Sequence, residues 1–249
     1  MSLRDRANSA LLRYTPLRDR ARRKRLVHAR RRLFEGLGSA RYSRPAHGGI
    51  DAKLQRHLPP SGVFLEAGAN DGYTWSNTYY LERFCGWSGV LVEPIPQLYE
   101  ECRGLRRRSV VVNCALVAPD FTGESVTMTY SDLRSLIKDS EPLMQQHAES
   151  EAVDGYEVSV PARTLEQVLQ ETGIEQLDFV SLDLEGFEAP ALRGLDLDRR
   201  RPRFLLVETA GGGGRAAVEE ALGDAYEALE ALTPDDVLYR RRQAPGREG

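Results

Sequence analysis

The chain has 249 residues, enough for one large domain with a buried core and a smaller appendage. With 41% apolar and 29% charged residues it has a globular composition, and no apolar run approaches the ~20 residues that span a bilayer. The formal charge of −3 hides an asymmetry: residues 1–49 hold fourteen Arg or Lys against three acids, a net of +11, and the remainder carries −14.

Residues 1–49 form a basic arm in which Leu11, Leu12, Leu26, Val27, Leu33 and Phe34 lie among arginines, in places with helical spacing. Two readings follow. The arm is a partly helical or disordered extension packed loosely on the acidic body, or a helix resting on an anionic membrane surface. No specific nucleic-acid target is read from it. Its positive charge has no apolar core behind it, so it is not a secretory signal. Arg44–Gly49, with its Pro and Gly, reads as a linker into a domain over 50–249. Cys85, Cys102 and Cys114 form no CxxC pair, which predicts reduced thiols in a cytoplasmic protein, with the inner membrane surface as its peripheral location.

From Gly62 the pattern changes to short apolar runs ending in polar residues. Val63–Leu65 ends at Glu66, Val90–Val92 at Glu93, Val110–Val112 at Asn113, Phe179–Leu182 at Asp183 and Phe204–Val207 at Glu208. Continuous runs rich in β-branched and aromatic residues suit strands buried on both faces. Ser76–Phe84, Pro96–Leu105 and Thr164–Thr172 have helical length and spacing, so the alternation predicts a doubly wound α/β domain with a parallel sheet. In such a sheet the carboxyl ends of the strands line the ligand crevice, and here four of five end in an acid. Residues 118–160 read as a polar insertion with one short strand, Ser125–Tyr130, and a loop covering a substrate. The C-terminal part is ambiguous: Ala225–Leu232 has helical composition, yet Thr233–Asp236 followed by Val237–Tyr239 suits an antiparallel hairpin.

The first strand leads into Glu66-Ala67-Gly68-Ala69-Asn70-Asp71-Gly72. Its glycines let the backbone turn sharply and approach a ligand. The loop is not GxGxxG, which counts against NAD or FAD and against an oxidoreductase. Glu66 suits a positively charged group such as the ammonium of a methionine moiety. Glu93, ending the second strand, suits both hydroxyls of a ribose. His28, His47, His57 and His147 read as surface residues, with His147, inside the covering loop, as an alternative base.

These blocks resemble the FkbM family of S-adenosylmethionine-dependent methyltransferases. The likeness runs through Leu65–Gly72, Ser76-Asn77-Thr78, Leu81-Glu82, Gly86–Pro94, Asn113-Cys114-Ala115, Arg163-Thr164-Leu165, Asp178–Glu188 and Leu192-Arg193-Gly194, in family order over about residues 62–210. The basic arm lies outside it. The resemblance implies a Rossmann-like class I methyltransferase: a seven-stranded, mostly parallel sheet with helices on both faces and an antiparallel C-terminal hairpin, Ala225–Leu232 with Asp236–Arg240. It also implies S-adenosylmethionine held by Glu66, Gly68, Asn70, Asp71, Gly72, Ser76 and Asn77 at the methionine part, by Glu93 at the ribose, and by Asn113 and Ala115 at the adenine. Asp183 would face the methyl group and take the acceptor's proton as general base. Alternatively Asp183, Glu185 and Glu208 hold Mg²⁺, or Glu185 and Glu188 cap the following helix. Relatives often carry Lys two residues before this Asp, where this chain has Ser181. The acceptor implied is a hydroxyl of a small molecule or glycan, a sugar or glycosylated natural product. The alternative in a different class is a catalytically silent module attached to a membrane or polyanion by its arm.

Overall fold

The computed structural model describes residues 17–131, 134–137, 156–210 and 214–242. The five apolar runs become strands β1 (Val63–Ala67), β2 (Ser88–Val92), β3 (Val110–Val112), β8 (Phe179–Leu182) and β9 (Phe204–Glu208), joined by β10 (Tyr226–Ala231) and β11 (Asp236–Arg241). They form one seven-stranded sheet in the order β10-β11-β9-β8-β1-β2-β3. β1, β2, β3, β8 and β9 run parallel, and β11 lies antiparallel to both β9 and β10.

Each run is apolar throughout because the sheet is covered twice. On one face Leu65, Ala67, Val90, Val92, Val180, Leu182, Leu205 and Val207 pack with Val168, Leu192 and Val218. Those partners come from helices α5 (Leu165–Thr172), α6 (Glu188–Arg193) and α8 (Gly214–Leu222). On the other face Phe64, Leu91, Phe179 and Leu206 pack with Leu54, Leu81 and Cys102. These belong to α2 (Ile50–Leu54), α3 (Tyr79–Phe84) and α4 (Pro96–Leu105). A further short helix, α7 (Leu197–Arg200), precedes β9. Side chains alternate between the two cores along every strand, as the two-residue period of β-structure requires.

Chain direction across the sheet reverses between β1 and β8. The chain runs outward from β1 to β3, then crosses to β8 on the other side. This is the topological switch point of a doubly wound sheet, where a crevice opens outside the carboxyl ends of the strands. At that point Asp183 N donates to Ala67 O at 3.2 Å, so the loops after β1 and β8 leave side by side.

Two regions differ from the sequence expectations, and a third, left ambiguous by its composition, forms the hairpin that the family resemblance implied. Ser76–Thr78 are not helical, and α3 starts at Tyr79 because these three residues turn their polar groups towards Glu66. Residues 118–160 hold more than one strand. A second sheet joins β4 (Ala115–Leu116), β7 (Tyr156–Arg163), β5 (Ser125–Ser131) and β6 (Arg134–Ile137) in that order, round a small core of Ala115, Val126, Met128, Val160 and Ala162. Residues 132–133 and 138–155 of the insertion, with His147, fall outside the described residues. The ambiguity at Ala225–Leu232 is resolved in favour of β10, whose pairing with β11 outweighs its helical composition.

The basic arm contains a helix, α1 (Leu17–Gly36), and no described helix is long and apolar enough to cross a membrane. The linker after it is part of the body: Ser43 and Ala46 are buried, and Ala46 bridges to Trp75. Cys85, Cys102 and Cys114 are unpaired thiols.

α5 begins with a capping box, in which Thr164 Oγ1 accepts from Gln167 N and the Gln167 side chain accepts from Thr164 N. Thr164→Ala removes one half of this exchange and should cost about 1 kcal/mol in urea unfolding.

Candidate active site

The loop after β1 is shaped from beneath by a buried ionic network. Glu66 is the fourth residue of β1 and is buried on the α3–α4 side. Its carboxylate accepts from Ser76 Oγ at 2.9 Å, Asn77 N at 2.7 Å and Thr78 Oγ1 at 2.6 Å, and lies 3.4 Å from Arg106 Nη1. Arg106 is 1% exposed. It also donates to Glu82 at 2.9 Å, to Ser76 Oγ at 3.0 Å, to Thr78 Oγ1 at 2.7 Å and to the Gly72 carbonyl at 3.2 Å. One guanidinium thereby joins β1, α3 and the end of the glycine loop. Glu66, expected beside a ligand ammonium, has its acceptor sites occupied by these groups and acts on the loop from within. Ser76 and Asn77 belong to the same network. Asn77 Nδ2 donates to Ser181 Oγ at 3.0 Å, which places the serine of β8 in the polar layer under the crevice.

Asp71 is likewise engaged by protein. It accepts from Tyr73 N, Thr74 N and Thr74 Oγ1 within 2.9 Å, pairs with Lys24 at 2.8 Å and lies 3.7 Å from His28. Burial alone would raise its pKa; the His28 and Lys24 contacts outweigh that and hold the carboxyl well below its usual range. Both partners come from α1, whose buried face also sets Arg31 against the Tyr73 and Tyr79 rings, at 4.9 and 5.0 Å. Glu35 adds a hydrogen bond from Tyr79 and an ion pair with Arg83. The described part of the arm is therefore bolted to the loop after β1.

The glycines are needed for close packing. Gly68 has φ +81°, and a Cβ there would lie 2.0 Å from Asp183 O; Gly72 has φ +79° and faces Cys102 and Arg106. Asn70, Trp75 and Glu185 also have positive φ, so strained backbone collects at the ends of β1 and β8.

Glu93 differs from the other acids. Buried at the end of β2, it accepts from Asn70 N at 2.7 Å and Ile95 N at 2.9 Å, and among the described residues no cation pairs with it. Burial pushes its carboxyl up to about 7 against those two amides, with Asp71 adding repulsion. Two of its roughly four lone-pair positions remain for a ligand hydroxyl. Asn113 leaves β3 and donates to the carbonyls of Glu93 and Pro94 at 2.8 and 2.7 Å, fixing the turn that presents Glu93. Ala115 is buried in β4.

Across the switch point, Asp183 follows β8 and Glu208 ends β9. Asp183 remains open to solvent. The crowding of protein around it raises its pKa, the charges of Glu185, Glu188 and Asp236 raise it further, and a hydrogen bond from Glu208 opposes them. Glu208 is raised by burial first and then by Asp183, Glu188 and Glu185. The charge of Asp183 thus favours the protonated form of Glu208, and the hydrogen bond from Glu208 favours the ionised form of Asp183. Glu188 Oε1 accepts from Leu184 N at 2.6 Å and Gly186 N at 3.2 Å, closing the turn that aims Asp183. Among the described residues no three His, Cys, Asp or Glu side chains form a group that could hold a metal ion. The expected magnesium set Asp183, Glu185 and Glu208 does not form such a group.

Sequence reading missed Arg106 and Lys24, and took His28, which packs beside buried Asp71, for a surface residue. A lone Arg after a helix carries no motif, and the contacts to α1 span more than forty residues. His57 pairs with Glu230 on the surface, away from the crevice.

A doubly wound sheet with a β1 glycine loop, a β2 terminal acid and an antiparallel final hairpin defines the class I methyltransferase architecture. The methyltransferase FkbM domain matches residues 66–232, and the chain belongs to this family. No curated protein matches the chain in sequence. Among solved structures, it is similar to a methyltransferase from Geobacter sulfurreducens, at 13% identity over 96% of both chains, with a TM-score of 0.44. A TehB-like SAM-dependent methyltransferase from Corynebacterium glutamicum matches at 12% identity over 89% of this chain and 100% of that one, with a TM-score of 0.42. An O-methyltransferase from Bacillus cereus in complex with SAH matches at 13% identity over 79% and 80%, also with a TM-score of 0.42.

Arg106→Met should strand Glu66 and Glu82 as unpaired buried charges and cost about 3–5 kcal/mol in chemical denaturation. A loss under 1 kcal/mol would remove Arg106 from its place at the centre of the loop.

Proposed function

We propose that the chain is an S-adenosylmethionine-dependent O-methyltransferase acting on a hydroxyl of a small-molecule or glycan acceptor, a sugar or a glycosylated natural product. The observation that carries this reading is the position of Asp183, whose backbone packs directly against the Gly68 turn at the switch point. The crevice is strongly acidic, with Asp183, Glu185, Glu188, Glu208 and Asp236 acting on one another. Such a field suits a cationic cofactor and opposes the anionic pyrophosphate of a dinucleotide.

Glu93 would hold the ribose through its free lone pairs, with the turn at Gly68, Ala69 and Asn70 as the wall beside it. Gly72, Asp71, Glu66, Ser76 and Asn77 keep that turn in shape, and Asn113 and Ala115 border the space beyond Glu93. When bound, S-adenosylmethionine supplies a methyl group already activated on a sulfonium. The protein's part is to align the acceptor oxygen and remove its proton. Asp183 takes that proton at its carboxylate, and Glu208 donates a hydrogen bond that keeps Asp183 ionised and oriented. Glu188 holds the supporting turn.

Two outcomes test these assignments. Asp183→Asn should lower kcat by at least about 10²-fold while leaving the affinity for S-adenosylhomocysteine nearly intact, whereas Glu93→Ala should weaken that affinity first. Activity surviving in Asp183→Asn would remove Asp183 as the base.

The pH profile follows from the raised pKa of Asp183, pushed up to about 7. Below that value the base holds its proton and turnover falls; above it the carboxylate forms and turnover rises. Glu185 is the charge that contributes most to this rise after burial. Glu185→Gln should therefore move the acidic limb of kcat/KM to lower pH, by up to about one unit. A limb that stays in place or moves upward would contradict the assignment.

A further inference from the structure

We propose that the outward face of α1 docks on an anionic membrane surface. The inward face is committed to the body through Lys24, His28, Arg31 and Glu35. The opposite face is exposed and has a second pattern. Leu26 and Leu33, seven residues apart on one stripe of α1, are 64% and 62% exposed, and Leu37, in the turn just past the helix with its amide bonded to Leu33 O, is 75% exposed. Ala29 falls on the same stripe, and Arg22, Arg25 and Arg32 are exposed beside it.

A purely basic face would be an ordinary solvated helix. Three leucines held in water by a helix and the turn that ends it, both already fixed to the domain, need an occupant. The flanking arginines define its chemistry as an apolar layer beneath anionic groups, the composition of an acidic bilayer surface. Other occupants fit less well. A second copy across a two-fold axis would set these arginines against themselves. Residues 1–16 are basic as well, with Arg4, Arg6 and Arg13 against Asp5. Nucleic-acid phosphates would satisfy the arginines and leave the leucines in water. The acidic remainder of the chain is repelled by the same surface, so contact is confined to α1 and the orientation is set. Because α1 is bolted to the loop after β1, docking brings that end of the sheet to the bilayer.

The test is co-sedimentation of the full chain with phosphatidylcholine vesicles, with and without about 30% phosphatidylglycerol. Binding should require the anionic lipid and fall with salt. The triple variant Arg22→Gln, Arg25→Gln, Arg32→Gln should bind on the order of a hundredfold more weakly, at about fivefold per arginine. The triple variant Leu26→Ser, Leu33→Ser, Leu37→Ser should lose binding at about 0.15 M salt, and melting temperatures should be unchanged because all six side chains face solvent. Absence of binding to anionic vesicles, equal binding to neutral ones, or undiminished binding by either variant would overturn the proposal. So would a concentration-dependent dimer abolished by the leucine variant, or binding to RNA with none to vesicles.

Discussion

A single buried guanidinium orders the region on which the site depends. Arg106 is carried just beyond α4, yet its partners are Glu66 on β1, Glu82 on α3 and the carbonyl of Gly72 at the end of the glycine loop. Two carboxylates taken from water would be costly alone; around one guanidinium whose donors reach five different groups they become a joint. Ser76 and Thr78 complete it by bonding both the acid and the base. The chain between β1 and α3 cannot continue as a helix while those hydroxyls are so engaged. This is why α3 starts late and why the loop is left as a rigid turn beside the crevice.

The same loop is held from outside. Lys24 and His28 reach Asp71 from a helix beyond the matched family domain, and the Tyr73 and Tyr79 rings pack beneath Arg31. A loop fixed on both sides needs little from a ligand to order it, which is the physical meaning of preorganisation. Its exposed rim is then free for chemistry. Glu93 keeps acceptor capacity for hydroxyls, and across the switch point Asp183 pushes up the carboxyl of Glu208 beside it.

Much of this was legible in the chain itself. Apolar runs ending in acids give the parallel strands and the side of the sheet on which the crevice opens, and the Glu66–Gly72 and Asp183–Glu188 blocks give its two walls. Other features were hidden for identifiable reasons. β7 has a clear two-residue alternation at Val158, Val160 and Ala162, but it sits inside a polar insertion whose overall composition masks it. β10 has the composition of a helix, so the residue pattern alone left helix and hairpin open, and pairing with β11 decides for the strand. Glu66 and Glu93 look alike in sequence, each ending an apolar run. Their difference lies in Arg106, forty residues after the first and absent from the second.

The central claim is that this crevice is built for an S-adenosyl ligand whose ribose is held by Glu93. Calorimetric titration of the full chain with S-adenosylhomocysteine, and separately with NAD, tests it most directly. The account predicts saturable one-site binding of S-adenosylhomocysteine and no heat with NAD. A folded protein that binds neither ligand, or that prefers NAD, would contradict it.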